Sequence, residues 1–368
     1  MRMAIFVRNV AKLHGDWHLV LPSWHHLYHW RTIEAGEQNQ LPWSKFFDIE
    51  SLAAYVPVVE MHHFLKENGG RLDQVYVLQH FKNAFSENWD WEDKWNIEEC
   101  ELISDRKQID GRYLAWFWGY KNMSADRVNC VSFQGPASQI LRLLLMSPEE
   151  AVMVDYAEVA LHERFGDAEY WRCRRSMRFN RDLVEEATRF RAVFLNSSDV
   201  TDGTLRPRDW RVRKTRGGPY LGVHLRRQDF VVGEMDEERV PISLREAAAQ
   251  IASSLRNLSL STVFVATDAP STELNELKQL LVVDGFKMVH YDASVEDKQK
   301  YKDGGLAIID QIICSHARHF IGTHESTFSF RIQEEREIMG FPLESTFNRL
   351  CPRAGVPCTQ PTRWKIVF

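Results

Sequence analysis

The densest run of reactive side chains in the chain is His224-Leu225-Arg226-Arg227, which closes the apolar segment Tyr220-Leu221-Gly222-Val223 after Gly217-Gly218-Pro219. The apolar run reads as a buried parallel strand. Strand side chains alternate faces, so His224 and Arg226 share one side and Arg227 takes the other. In open α/β sheets ligands bind outside the carboxyl ends of the strands. A guanidinium there suits a phosphate, which its planar fork holds by two parallel hydrogen bonds. The plain alternative is an ion pair at a strand end, with Asp229 as partner. Two further segments have the same form: Val263-Phe-Val-Ala266 ends in Thr267-Asp268, and Phe320-Ile321 runs into Gly322-Thr323-His324-Glu325-Ser326-Thr327-Phe328. Ser326 or Thr327 is a candidate N-cap, and the free N–H groups of a helix start bind anions. Together these ends could clamp a diphosphate, with Asp303 and Asp310 set to hydrogen-bond a ribose or base edge. Thr327 as a plain cap and Asp310 as a surface charge are the simpler readings.

The elements that would position these groups follow a regular rhythm after Gly217. Strands are expected at Tyr220–Leu225, Thr262–Thr267, Lys287–Tyr291 and His319–Ile321, and helices at Leu244–Leu258, Ser271–Leu281, Leu306–Ala317 and Thr327–Met339. Such alternation means βαβ units and a parallel sheet, so 217–368 reads as a doubly wound, Rossmann-like domain. No G-x-G-x-x-G follows its first strand, which disfavours dinucleotide binding. The polar then basic stretch Asn196 to Arg216 marks the expected domain boundary, with 1–216 as a first domain. That half shows two short buried strands, His18–Pro22 and Gln74–Gln79, and one helical stretch from Ala168 to about Leu195 with Asp167 as its N-cap. It also holds nine of the twelve tryptophans, which suit an irregular core better than a sugar or protein platform.

Composition removes several classes. A net charge of -5 argues against bulk electrostatic binding of nucleic acid. No apolar run approaches the ~18 residues of a membrane helix, and Arg2 and Arg8 crowd any signal-peptide core near the start. G-x-S-x-G, P-loop and H-E-x-x-H patterns do not occur, so hydrolase and NTPase readings have no foothold. No Asp-x-Asp occurs either, the usual Mn²⁺ holder of glycosyltransferases. His25 and His29 stand four apart but lack a nearby third ligand, which leaves a surface or interface role. Cys351 and Cys358 bracket a Pro/Gly loop that looks like a stapled turn, Cys100 and Cys130 lie in polar surroundings, and Cys173 and Cys314 read as unpaired thiols. Sequons at Asn122, Asn196 and Asn257 with two plausible disulfides favour an oxidising lumen.

Gly222-Val-His-Leu-Arg-Arg-Gln-Asp-Phe230 resembles the motif of GDP-fucose-dependent fucosyltransferases. The branch it most resembles is the protein O-fucosyltransferases of thrombospondin type 1 repeats. The further segments that carry this likeness are Leu27-Tyr-His-Trp30, Asp73-Gln-Val-Tyr-Val-Leu78, Trp116-Phe-Trp-Gly-Tyr120, Tyr301-Lys-Asp-Gly-Gly305, Ser326-Thr-Phe-Ser-Phe-Arg-Ile332 and Glu334-Glu-Arg-Glu-Ile338. The resemblance implies an α/β GT-B fold of two Rossmann-like domains with the donor cleft between them. It implies an inverting peptide-O-fucosyltransferase of the endoplasmic reticulum lumen, a glycoprotein and a monomer, that uses GDP-fucose without a cofactor or an essential divalent metal. Its acceptor is a Ser or Thr hydroxyl in a folded thrombospondin type 1 repeat. Donor contacts carry over onto His224, Leu225, Arg226, Asp310, Thr327 and Phe328, catalytic positions onto Arg226 and Glu335, and disulfides onto Cys100–Cys130 and Cys351–Cys358. The family's proposed general base is a Glu in a Pro-x-Glu-Gly-Phe-Asn loop, and Met1 to Arg8 matches the helix that follows it. The expectation is therefore a chain shortened at its start, without first strand or base, that transfers fucose poorly. A fucosyltransferase acting on a glycan and a non-catalytic binder of thrombospondin repeats are the alternatives.

Overall fold

The computed structural model describes residues 2–15, 17–25, 27, 29–81, 92–98, 100, 108–109, 111–114, 120, 123–145, 149–161, 165–207, 214–227, 242–323 and 326–361. These residues form two compact units. One holds Glu37–Arg178 with the residues before 29, and the other holds His29–Gly36 with the residues from Phe179 onward.

The first unit contains α1 (Arg2–His14), β1 (Leu19–Leu21), α2 (Ile49–Ala53), β2 (Val58–Glu60), α3 (Met61–Asn68), β3 (Arg71–Gln79), β4 (Lys94–Glu98), β5 (Gln108–Ile109), β6 (Arg112–Leu114), β7 (Ser124–Gln134), α4 (Ile140–Leu145), β8 (Val152–Asp155) and α5 (Ala168–Ser176). Its main sheet has the order β5-β6-β7-β3-β8. β3 pairs in parallel with both β7 and β8, while β4 and β6 add antiparallel to β7. A strand flanked on both sides and covered on both faces carries an apolar run where it is covered, and Val75 to Leu78 are all buried. α1 buries Ala4, Phe6, Val7 and Val10, spaced for one helix face. The tryptophan-rich stretch goes partly to packing: Trp24 and Trp43 lie 5.1 Å apart, and Trp43 and Phe47 5.2 Å apart. Trp89, Trp91, Trp116 and Trp118 lie outside the described residues.

The second unit contains α6 (Arg181–Leu195), α7 (Asp199–Asp202), β9 (Gly218–Leu225), α8 (Leu244–Asn257), β10 (Thr262–Thr267), α9 (Ser271–Val283), β11 (Lys287–Val289), α10 (Val295–Ser315), β12 (Ala317–Gly322), α11 (Thr327–Met339), α12 (Leu343–Thr346) and β13 (Asn348–Arg349). All pairings in its sheet are parallel, in the order β11-β10-β9-β12-β13. The chain therefore builds outward from β9 through β10 to β11, then returns to add β12 on the other side of β9. α8 starts at Ser243, whose side chain accepts the N–H of Glu246. It buries Leu244, Ala247, Ala248, Ile251, Ala252 and Leu255 against Leu221, Val223, Leu225 and Ile321. The opposite sheet face takes α10, which starts at a Ser294–Asp297 capping box. Gly222 permits that approach: a Cβ there would lie 2.9 Å from the Cβ of Ala317 and 3.0 Å from the carbonyl oxygen of Cys314.

The units divide at 178/179, upstream of the expected boundary at 216/217. The cause is that 168–195 is two helices. α5 ends at Ser176, Met177 leaves the helical region with ψ 63°, and Asn180 starts a new helix by accepting the N–H of Asp182 at 2.8 Å. Asp167 caps α5, accepting from Tyr170. α6 then joins the second sheet, with Phe190 5.9 Å from Phe264 and 5.2 Å from Tyr291. Behind it Arg191, wholly buried, donates to Asp199 at 2.6 Å. The expected helix Leu306–Ala317 is longer, beginning at Val295, with Lys302 at φ 63° as an internal break.

Candidate donor site in the second unit

Because β10 and β12 leave β9 in opposite directions, the topological switch point of the second sheet falls between β9 and β12. Ligands of doubly wound sheets bind outside the strand ends at that point. Three hydrogen bonds stitch the two ends together. Thr323 Oγ1 accepts the N–H of Arg226 at 3.0 Å and donates to the carbonyl of His224 at 2.9 Å, while the N–H of Thr323 donates to Ser329 Oγ at 3.1 Å. β9, β12 and the first turn of α11 thus meet at one place.

His224 sits inside this junction, buried, with Nδ1 2.9 Å from Ser329 Oγ and its ring stacked on Phe328 at 4.3 Å. Since the Ser329 hydroxyl already accepts from Thr323, its own proton is best given to Nδ1, which leaves Nε2 as the ring donor. Burial, and secondly the charge of Arg226, push the His224 pKa down to about 3. The imidazole is neutral at pH 7, and the guanidinium of Arg226 acts on it from close by. Arg227 points to the other face, as alternation requires. Its guanidinium meets Glu273 at 2.7 and 3.2 Å and the carbonyl of Ile242 at 2.5 Å. The strand-end ion pair thus belongs to Arg227 and Glu273; Asp229 lies outside the described residues. Asp268 accepts the N–H of Arg227 at 2.6 Å, and Thr267 donates to the carbonyl of Leu225 at 2.5 Å, so the second strand end braces the first. The Leu225 side chain is buried in the α8 core and offers the edge only its main chain.

At the start of α11 the ladder opens with Phe330 N–H to Ser326 O at 3.0 Å, so the preceding N–H groups stand ahead of it. Ser326 occupies the N-cap position but caps nothing: its side chain is fully buried and its Oγ has no hydrogen-bond partner. Thr327 is exposed and Phe328 half-buried. Gly322 allows α11 to come this close, because a Cβ there would lie 2.7 Å from the Phe347 ring and against Ser329 Oγ.

Asp310 lies one turn before Cys314, which abuts Gly222. A turn of ~5.4 Å lifts it to about the level of His224, near the carboxyl edge. Its Oδ1 is buried without a partner, and burial raises its pKa well above the carboxylate range. Asp303 is committed elsewhere, accepting the N–H of Thr32 at 3.0 Å. Glu335 is also buried and committed: Arg206 donates to Oε2 at 2.9 Å, and Arg331 stands 3.3 Å from Oε1. Nothing in the sequence pairs Arg206 with Glu335, since they are joined only by folding across 129 positions. The role of Ser329 was equally hidden.

Both disulfides form, Cys100–Cys130 with Cα atoms 4.9 Å apart and Cys351–Cys358 with 5.6 Å, while Cys173 and Cys314 are buried thiols outside any disulfide. Of the sequons, Asn196 ends α6 in the left-handed region and Asn257 ends α8, both exposed; Asn122 lies outside the described residues. Among the described residues no helix is long and apolar enough to cross a membrane.

The family model described as GDP-fucose protein O-fucosyltransferase matches residues 1–339. GDP-fucose protein O-fucosyltransferase 2 of Homo sapiens is 45% identical over 377 residues, an alignment covering 100% of this chain and 85% of that protein. The Caenorhabditis elegans protein of that name is 42% identical over 381 residues, covering 100% and 86%. A crystal structure of POFUT1 in complex with GDP-fucose aligns over 94% of this chain and 92% of its own at TM-score 0.58 and 17% identity, which speaks to fold. The chain is thus an α/β protein of the GT-B-like class. It belongs to the GDP-fucose protein O-fucosyltransferase family.

Proposed function

We propose that the chain transfers fucose from GDP-fucose to a Ser or Thr hydroxyl of a folded thrombospondin type 1 repeat, with inversion, in the lumen of the endoplasmic reticulum. The observation that carries the reading is the junction of Arg226, His224 and the α11 start at the switch point of the second sheet. The acceptor oxygen attacks the fucose anomeric carbon as the bond to the β-phosphate oxygen breaks. The electron pair leaves with GDP, and the growing phosphate charge is met by Arg226 and the free N–H groups at Thr327 and Phe328. That arrangement supports transfer without a divalent metal or other cofactor. The neutral His224 contributes an Nε2–H donor. Asp310 suits a purine edge with two N–H donors, since such donors would relieve its orphaned oxygen and favour its ionised form. Glu335 orients Arg206 and Arg331 as a positioning residue; with both oxygens engaged it is a poor proton acceptor.

The acceptor proton goes to a general base. The family's Pro-x-Glu-Gly-Phe-Asn pattern does not occur in these 368 residues, so they are expected to transfer more slowly than a chain carrying that loop ahead of them, by a factor on the order of 10²–10⁴. Mass spectrometry of a folded thrombospondin repeat after incubation with GDP-fucose and each form decides the matter. Fucose on the repeat, accumulating faster with the loop, is the expected result. Equal rates would place the base elsewhere, a modified glycan with an untouched repeat would shift the acceptor class, and repeat binding without GDP-fucose binding would make the chain a non-catalytic binder. The monomeric state is expected from the same reading and is checked by light scattering.

A further inference from the structure

A polar cavity, of about 340 Å³, lies on the α8 side of the second sheet, across from the face that carries His224 and α11. Gln250, Ser253 and Ser254 reach it from α8, His319, Asn348 and Arg349 from β12 and β13, and Gln360 from beyond the Cys351–Cys358 loop. Among the described residues that line it none is acidic.

Arg349 is only 5% exposed, and its Nη1 is buried without any hydrogen-bond partner. Its Nε donates to Cys358 Sγ at 3.3 Å, a weak acceptor. Among the described residues no carboxylate forms an ion pair with it. A guanidinium closed in without a counter-charge is unfavourable and favours an incoming anion. The surroundings are held in place around it. Gln250 accepts the N–H of Cys351 and donates to its carbonyl, each at 2.8 Å, and Gln360 accepts the N–H of Arg349 at 3.0 Å. Asn348 Nδ2 lies 2.8 Å from His319 Nε2, and burial, with the charge of Arg336 second, pushes the His319 pKa down to about 4, so its ring is neutral at pH 7.

We propose that this cavity binds a small polyhydroxylated anion, a sugar phosphate or a sugar acid, whose oxyanion pairs with the guanidinium of Arg349. The hydroxyls of such a ligand find donors and acceptors in Ser253, Ser254 and Asn348. The site is separate from the proposed donor junction, since His319 and Ile321 face α8 while Phe320 and Gly322 face the other way.

Calorimetric titration of the chain with glucose 1-phosphate, glucuronate, inorganic phosphate and neutral glucose, each with and without saturating GDP, tests this. One of the two sugar anions is expected to bind more tightly than inorganic phosphate, and which one identifies the oxyanion; glucose is expected not to bind, and GDP to leave the affinity unchanged. Arg349→Gln is expected to weaken the anion about 10-fold or more, the loss of one charge-assisted pair. Should that variant fail to fold, Ser253→Phe at an exposed position closes the cavity and carries the test with the same expected loss. The proposal is overturned if no anion binds at about 10 mM, if glucose binds as tightly as the anions, if GDP displaces the anion, or if binding survives both substitutions.

Discussion

Arg226 and His224 act as a pair in which one residue carries charge and the other is kept from carrying it. Arg226→Ala is expected to lower kcat/KM for fucose transfer by roughly 10²–10³, the usual cost of removing a donor aimed at developing negative charge. Arg226→Lys should fall between, because it restores charge without the planar fork. Initial rates on a folded repeat, with GDP affinity measured separately, check both. The neutral state of His224 has a pH signature shared with two other histidines of the second unit. His224 and His316 are pushed to about 3 and His319 to about 4, mainly by burial. The unfolded chain, with ordinary histidines near ~6.5, binds more protons between those values. Stability from these residues is therefore full above pH ~6.5 and is lost as pH falls towards ~3. Asp310, whose folded pKa is raised, works in the opposite sense, costing stability as pH rises above the carboxylate range. Thermal unfolding from pH 7.5 to 5 should show a falling Tm, and His316→Gln should flatten the slope.

Among the elements, α11 matters most because its position depends on one missing methyl group. Gly322→Ala would place a Cβ 2.7 Å from the Phe347 ring and against Ser329 Oγ. Backbone or helix must move, at ~1–3 kcal/mol for overpacking of this kind. Urea unfolding should register that loss. GDP affinity should fall with it, because Ser329 also holds His224 and Thr323. A variant that lost stability but kept its full GDP affinity would show that the α11 start does not touch the donor. α10 carries a comparable constraint at Gly222, where Cys314 and Ala317 occupy the space a side chain would need.

For the molecule as a whole, the second unit ends in a staple. Cys351–Cys358 holds the loop that Gln250 anchors to α8 and that Gln360 ties to β13. Replacing both cysteines by serine is expected to cost ~2 kcal/mol, the lower part of the usual disulfide range because the closed loop is short. Calorimetry should see the second unit unfold earlier, with anion binding at Arg349 weakened in step. A boundary at 178/179 also means that α6 and the Arg191–Asp199 pair must accompany the second sheet in any fragment designed to fold alone.

Much of the second unit was legible in the chain itself. β10 and α11 match their expected bounds, because apolar runs and helix starts are local signals. Arg227 on the face opposite His224 followed from the two-residue repeat alone. The sequence could also suggest which cysteines stand near flexible loops. Folding alone decided the rest. The break at Met177 to Asn180 sits inside a continuous helical pattern, and only packing against Phe264 and Tyr291 assigns α6 to the second sheet. Strand order, and with it the switch point between β9 and β12, depends on which edges pair across a hundred residues. The same holds for the guanidinium of Arg349, which meets a sulfur and no carboxylate: a charge shows in the sequence, but what it meets is settled when distant segments close around it.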